Sequence, residues 1–179
     1  LAALAVAHQL QLPPDQAGQA LSDFQGTGRR FEVRGEVDGI VVIDDYAHHP
    51  TKIRATLAAA RECYPQRRIW AVWQPHTYSR TRLLLNEFAA AFEQADEIVV
   101  TKIYPAREAA PADNFSAQQV VSAMRHKQVH FIPELVQATS FLLARLRRDD
   151  VLLVMSAGDA DQICTNVLTS LRERSADHV

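Results

Sequence analysis

Two stretches of the sequence, Ile40-Val41-Val42-Ile43 and Val151-Leu152-Leu153-Val154-Met155, are apolar at every position. A strand with one face in water alternates apolar and polar residues, so unbroken runs of this kind require a sheet covered on both faces. The segments between them supply the cover. Residues 50–64 are expected to form a helix, with Pro50 in its first turn and Ile53, Leu57 and Ala60 on one face. Strands are expected over 69–74, 97–101, 129–132 and 151–156. Helices follow them over 79–94 (Leu84, Phe88 and Ala91 inward), 116–124, 134–146 (Leu135, Ala138 and Leu142 inward) and 160–172 (Ile163, Val167 and Leu171 inward). Repeated strand–helix units imply parallel strands with right-handed crossovers, hence a three-layer, Rossmann-like α/β domain. Before it, residues 31–37 and 40–44 are β-rich and joined by Asp38-Gly39, a dipeptide suited to a tight hairpin. The expected sheet therefore has about six strands, mostly parallel, with an antiparallel hairpin strand at its start.

Residues 1–10 and 14–24 read as short helices separated by Pro13-Pro14, the second with Ala17, Ala20, Leu21 and Phe24 in a stripe. Gln25-Gly26-Thr27-Gly28 reads as a linker. The expected division is 1–28 as the helical remnant of a preceding domain and 29–179 as the α/β domain. The first residue is a leucine in what reads as mid-helix, so a longer parent protein is expected, and the tail from Ser175 is expected to fray.

With a net charge of -2 and scattered basic residues, nothing marks a nucleic-acid binder. The two cysteines, Cys63 and Cys164, are far apart and outside any CxxC, which argues against a disulfide or metal framework and suits a cytoplasmic protein. The apolar start lacks a basic flank and stops at Pro13-Pro14, too short to span a membrane and wrong for a signal peptide. There is no GxxxxGK[ST], no GxGxxG and no GxSxG, so a self-sufficient nucleotide cleaver or a serine hydrolase has no support.

In an open α/β sheet, ligands bind beyond the carboxyl ends of the strands. Four loops there carry polar residues that packing does not require. In Asp44-Asp45-Tyr46-Ala47-His48-His49-Pro50, one Asp could cap the next helix, but a cap uses one polar side chain and five are present. Zinc is disfavoured, since adjacent histidines rarely share a metal and no third ligand is local. In Gln74-Pro75-His76-Thr77-Tyr78-Ser79-Arg80-Thr81-Arg82, Ser79 suits an N-cap and Arg80 falls in the first helical turn, where a cation opposes the helix dipole unless an anion is near. The third loop, Lys102 to Glu108 and on to Asn114, reads equally as a mobile site edge or a plain surface loop. In Ser156-Ala157-Gly158-Asp159, Asp159 reads first as an N-cap.

Gly28-Arg29-Arg30-Phe31-Glu32, the Asp44-to-Thr51 segment and the Gln74-to-Arg82 segment resemble three successive motifs of the Mur ligases. Tyr104-Pro105-Ala106-Arg107-Glu108 and Ala157-Gly158-Asp159 continue the likeness, which covers essentially the whole chain in order. The chain is similar to the carboxy-terminal domain of that family. Its Tyr-Ala-His-His-Pro and Gln-Pro-His-Thr-Tyr-Ser-Arg-Thr forms resemble the branch joining L-alanine to UDP-N-acetylmuramate in peptidoglycan precursor synthesis.

The resemblance implies a three-domain enzyme. An amino-terminal domain holds the UDP-sugar, a central domain holds ATP and Mg2+, and the carboxy-terminal domain closes over both and brings the amino acid. Residues 1–28 resemble the end of the central domain, and the family's metal ligands and carbamylated lysine are implied to lie outside this chain. Carried over by motif position, Arg30 and Asp45 lie near the nucleotide, and Tyr46, His48, His76 and Arg80 surround L-alanine, Arg80 facing its carboxylate. Ala47 and Thr77 stand where some members have Gly and Arg, and Ser156 where Gly is common. The implied reaction is acyl activation by ATP followed by attack of the alanine amine, with the isolated fragment inactive. The rivals are the related ligase that attaches a recycled peptide to the same sugar, and a free-standing flavodoxin-like binding module, which would leave the polar crowding of two adjacent loops unexplained.

Overall fold

A computed structural model describes residues 2–23 and 27–176. Helices α1 (Ala2–Gln9) and α2 (Pro14–Ser22) pack on each other. Leu4, Val6 and Leu21 of these helices and Leu10 and Leu12 between them are exposed, and Ala7 is buried. Phe24 and Gln25-Gly26, assigned to the stripe and the linker, lie outside the described residues.

The hairpin forms as its turn dictates. β1 (Glu32–Val37) pairs antiparallel with β2 (Ile40–Asp45), and Asp38 and Gly39 take φ of 51° and 78°, the left-handed pair that a two-residue hairpin turn needs. The chain then alternates through α3 (Pro50–Cys63), β3 (Ile69–Trp73), α4 (Tyr78–Leu83), α5 (Leu85–Ala89), β4 (Glu97–Val100), α6 (Ala117–Ala123), β5 (Val129–Phe131), α7 (Leu135–Leu143), β6 (Val151–Met155) and α8 (Gln162–Ala176). The sheet order is β1-β2-β6-β3-β4-β5, and every pairing after the first is parallel.

Each strand serves two cores by turns. Ile69, Ala71 and Trp73 face a layer built with Ile53 and Leu57 of α3, Phe88 of α5 and Val120 of α6. Trp70 and Val72 face the opposite layer with Leu142 of α7 and Ile163 and Val167 of α8. The chain steps outward along the sheet on the first face and returns on the second, as right-handed crossovers require. The return places β6 between β2 and β3. Helices leave β2 and β3 toward one face and β6 toward the other, so the crevice lies at the carboxyl ends of these three strands.

Two expectations are corrected. The helix over 79–94 is broken at Leu84 (φ -107°, ψ 26°) into α4 and α5. Phe88 and Phe92 are drawn onto Trp73, with ring centroids at 4.6 and 5.4 Å, while α4 is held through buried Thr81 and the loop before it. Tertiary anchoring in two directions overrides a continuous helical period, and it leaves Leu83 80% exposed. Of the tail expected to fray, Ser175 and Ala176 lie instead in the last turn of α8, the Ser175 hydroxyl donating to Asp38 of the hairpin turn, and residues 177–179 lie outside the described residues.

Candidate active site

The two aspartates ending β2 do not cap α3. His49 does, its Nδ1 accepting from the Thr51 N–H at 3.3 Å. Asp44 is fully buried and accepts from Arg29 Nε at 3.0 Å, with Arg34 Nη1 at 3.6 Å. Burial pushes its carboxyl above the ordinary value, and the Arg29 hydrogen bond and charge pull it back. Arg29 also donates to the Ser156 carbonyl at 2.8 Å. Asp45, also buried, accepts from the Phe31 N–H at 2.7 Å, and Tyr46 N–H donates to the Arg29 carbonyl at 2.8 Å. Residues 29–31 are thus stitched to the end of β2, although Arg29 and Phe31 must adopt φ of 57° and 50°, backbone that only such fixed contacts sustain.

Beyond β2 the next loop turns its rings toward the loop after β3. Tyr46 meets His48 edge-on at 5.0 Å, His48 lies 6.0 Å from His76, and His76 stacks on Tyr104 at 5.7 Å and 21°. A cation stands at each side of this row. Arg30 lies 5.8 Å over the Tyr46 ring, and Arg80 Nη1 donates to His76 Nδ1 at 3.3 Å. Among the described residues neither Arg30 nor Arg80 has an ion-pair partner. Tyr46, His48, His76 and Arg80 are therefore contiguous, Arg30 flanks them, and Asp45 is set back under Phe31.

The partners fix the imidazole tautomers. His48 Nδ1 lies 2.8 Å from the Tyr46 carbonyl, which only accepts, so Nδ1 carries the proton and Nε2 the lone pair. His76 Nδ1 faces a guanidinium, which only donates, so its lone pair is on Nδ1 and its proton on Nε2. Burial, then the positive charge of Arg80, lowers the pKa of both rings, partly opposed in His48 by the Tyr46 carbonyl. Both shifts favour the neutral ring.

The third and fourth loops close the site. Tyr104 N–H donates to the Pro75 carbonyl at 2.8 Å and its own carbonyl accepts from Thr77 N–H at 2.9 Å, which ties the start of the third loop to the second. Thr77, not Ser79, occupies the N-cap position of α4, at φ 67°, a strained setting for a β-branched residue. Ser79 lies inside the helix, its hydroxyl and N–H given to Glu108. Asp159 is not an N-cap either, since α8 starts at Gln162; its carboxylate accepts from Gln74 Nε2 at 2.7 Å. Gln74 Oε1 gathers Ser156 Oγ, Asp159 N–H and Ala160 N–H at 2.9, 3.1 and 3.2 Å. α4 is only six residues long, so its dipole acts on Arg80 less than the hydrogen bond to His76 does. Arg29, Gln74 and Tyr104 were not among the sequence candidates. The signal for Arg29 was a carboxylate, Asp44, inside an apolar strand. A cavity of about 520 Å3 lies elsewhere, lined by Asn86, Phe92, Arg125 and His126 among others.

Residues 29–158 match the family described as Mur ligase, glutamate ligase domain. The chain belongs to the Mur ligase family. The UDP-N-acetylmuramate–L-alanine ligase of Roseiflexus sp. strain RS-1 is 42% identical over 98% of this chain, a stretch that is 37% of that relative. The solved UDP-N-acetylmuramate–alanine ligase of Thermotoga maritima superposes with a TM-score of 0.79 at 26% identity, over 96% of this chain and 36% of that one. The murein peptide ligase of Psychrobacter arcticus superposes with a TM-score of 0.70 at 25% identity, over 94% of this chain and 35% of that one. The chain thus spans little more than a third of the relatives it matches.

Among its described residues this Mur ligase domain shows neither a phosphate cradle nor a metal-binding cluster of its own. Its sequence has no phosphate loop, and among the described residues no group of three or more His, Cys, Asp or Glu could hold a metal. What it could offer a nucleotide is the exposed guanidinium of Arg30 and the remaining acceptor capacity of Asp45. Among the described residues no helix is long and apolar enough to cross a membrane.

Proposed function

We propose that this is the amino-acid-binding and closure domain of an ATP-dependent ligase. The ligase joins L-alanine to UDP-N-acetylmuramate in cytoplasmic peptidoglycan precursor synthesis. ATP and Mg2+ are held mainly by a central domain, the UDP-sugar by an amino-terminal one, and residues 1–28 are the end of the central domain. The similarity to L-alanine ligases over nearly the whole chain supports the substrate, and the geometry supports the assignment of roles.

One observation carries the reading. Arg80 presents a guanidinium with no carboxylate partner, held by His76 at the end of a row of rings. A planar fork suits a carboxylate, which it binds bidentately. The neighbouring imidazoles are neutral, so they do not repel the ammonium at the other end of an amino acid. Tyr46, His48 and His76 wall a space suited to a methyl side chain. Arg30 and Asp45, on the β2 side, serve the nucleotide, Arg30 through phosphate contacts and Asp45 through the ribose hydroxyls. With both substrates aligned, the domain acts by positioning.

A charge-assisted hydrogen bond is worth about 1.5–3 kcal/mol. Arg80→Ala in the full-length ligase should therefore raise KM for L-alanine by about one to two decades and move KM for ATP much less. Arg80→Lys should recover little, because a point charge does not reproduce the fork. Loss of ATP affinity with an unchanged alanine KM would assign Arg80 to the nucleotide instead.

A further inference from the structure

In the L-alanine site proposed above, on which the role of His48 depends, the amino acid arrives as an ammonium ion. It has no lone pair with which to attack an activated carboxyl, so one proton must first leave the nitrogen. We infer that His48 is the general base that takes this proton, through Nε2.

The assignment rests on which lone pairs the site leaves open. His48 Nδ1–H is committed to the Tyr46 carbonyl at 2.8 Å, so the lone pair of Nε2 is at the opposite edge of the ring. His76 cannot serve in its place: its lone pair accepts from Arg80, and its other nitrogen is protonated. The carboxylates nearby are ordinarily weaker bases than a neutral imidazole, and each is already engaged on at least one oxygen. Asp44 is buried on Arg29 and Arg34, Asp45 accepts from the Phe31 N–H, Glu108 is taken by Ser79 and Asp159 by Gln74.

The charged and titratable groups around His48 keep it ready. Arg80 of α4 acts on it, as do Lys52 and His49 of its own segment. His76 faces it from the loop after β3 and Tyr46 from the strand end. Burial and these cations favour the neutral ring before substrate arrives. A carboxylate bound at Arg80 cancels the charge of that guanidinium, so binding itself makes His48 a stronger base. On transfer, one N–H bond of the ammonium breaks and its electron pair remains on nitrogen as the nucleophilic lone pair. The proton bonds to Nε2, and the resulting imidazolium is stabilised through Nδ1–H on the Tyr46 carbonyl. The same proton later passes to solvent. A nucleophile already neutral at pH 7 needs none of this.

The test compares two nucleophiles in the full-length ligase. L-Alanine must be deprotonated, whereas hydroxylamine is largely neutral at pH 7 and traps the activated carboxyl as a hydroxamate. His48→Gln should lower kcat/KM for L-alanine at pH 7 by about 100- to 1000-fold, the usual worth of general base catalysis. Hydroxamate formation should fall by less than about tenfold. The alanine rate of the variant should also keep rising with pH where the native enzyme has levelled off. Equal losses with both nucleophiles would overturn the role of His48 while leaving the alanine site standing. An Arg80→Ala enzyme with an unchanged alanine KM would remove the site reading, and the role of His48 with it.

Discussion

Gly158 is the residue at which the site tolerates least. A Cβ there would lie 2.4 Å from Gln74 Oε1 and 2.6 Å from Cγ of Tyr104. Gln74 cannot step aside cheaply, because that oxygen accepts three hydrogen bonds from the loop after β6. Tyr104 can move only by leaving its stack on His76. Gly158→Ala should therefore cost about 1–3 kcal/mol by overpacking, read as a lower denaturant midpoint, and should raise the alanine KM of the full-length enzyme. The two histidines give a second prediction, with its sign fixed by burial. Their folded pKa values lie below the ordinary value of 6.5, so the unfolded chain binds more protons in the window beneath it. Stability is fully present above about pH 6.5 and is lost as pH falls through the folded pKa values. Thermal melts across that window should show Tm declining toward acid, and His48→Gln with His76→Gln should flatten the slope. At this scale the sequence exposed clusters better than partners. Five polar side chains between β2 and α3 were visible, yet Asp44 is answered by Arg29, fifteen residues away, and Arg29 by Ser156, 127 residues away. The helix cap went to His49 because both aspartates were already engaged by the segment before β1.

Among the elements, those with a strict hydrophobic period were legible, and those whose ends depend on distant contacts were not. β2, β3 and β6 are apolar at nearly every position because they are covered on both faces, and they lie where their composition put them. The helix after β3 had an unbroken period and is nonetheless divided at Leu84, since only the fold reveals that Trp73 collects Phe88 and Phe92 while Tyr104 holds Thr77. The opposite end of the sheet depends on a single carboxylate that no motif announced. Asp150 is buried before β6 and accepts from Arg68 through both oxygens at 3.0 and 2.7 Å, from Trp70 Nε1 at 3.2 Å and from the Arg147 N–H at 2.8 Å. It joins the starts of β3 and β6. Asp150→Ala leaves Trp70 Nε1 and the Arg147 N–H without this acceptor, at about 1–3 kcal/mol for a buried group, and Arg68 with only the Arg145 carbonyl and Glu97. The expected loss is about 3 kcal/mol in all, seen as a shifted urea midpoint with an unchanged m-value.

For the whole molecule, the function proposed above makes a negative expectation and a positive one. Without a phosphate loop the 179-residue chain should show no ligase activity and negligible ATP turnover; sustained turnover after contaminants are removed would refute this. The positive expectation is that the α/β domain folds by itself from Gly28. Both cores are built from residues of β2 onward, with Phe31 packed against one of them, and α1 and α2 expose the apolar residues that would otherwise anchor them. On that expectation the start of the domain is set by Arg29 and Phe31. Arg29 closes on Asp44 and Ser156, and Phe31 occupies the Asp45 carboxylate. A chain starting at Gly28 should keep a cooperative melt with a Tm close to that of the longer chain. A chain starting at Glu32 removes both residues and leaves Asp44 with Arg34 alone, 3.6 Å away. Taking one partner from a buried ion pair costs about 3–5 kcal/mol, so this shorter chain should melt well below the first or lose cooperativity. Equal melting of the two would show that the Arg29–Asp44 pair does not set the boundary. A non-cooperative profile for the chain from Gly28 would show that the helices before it are part of the same folding unit.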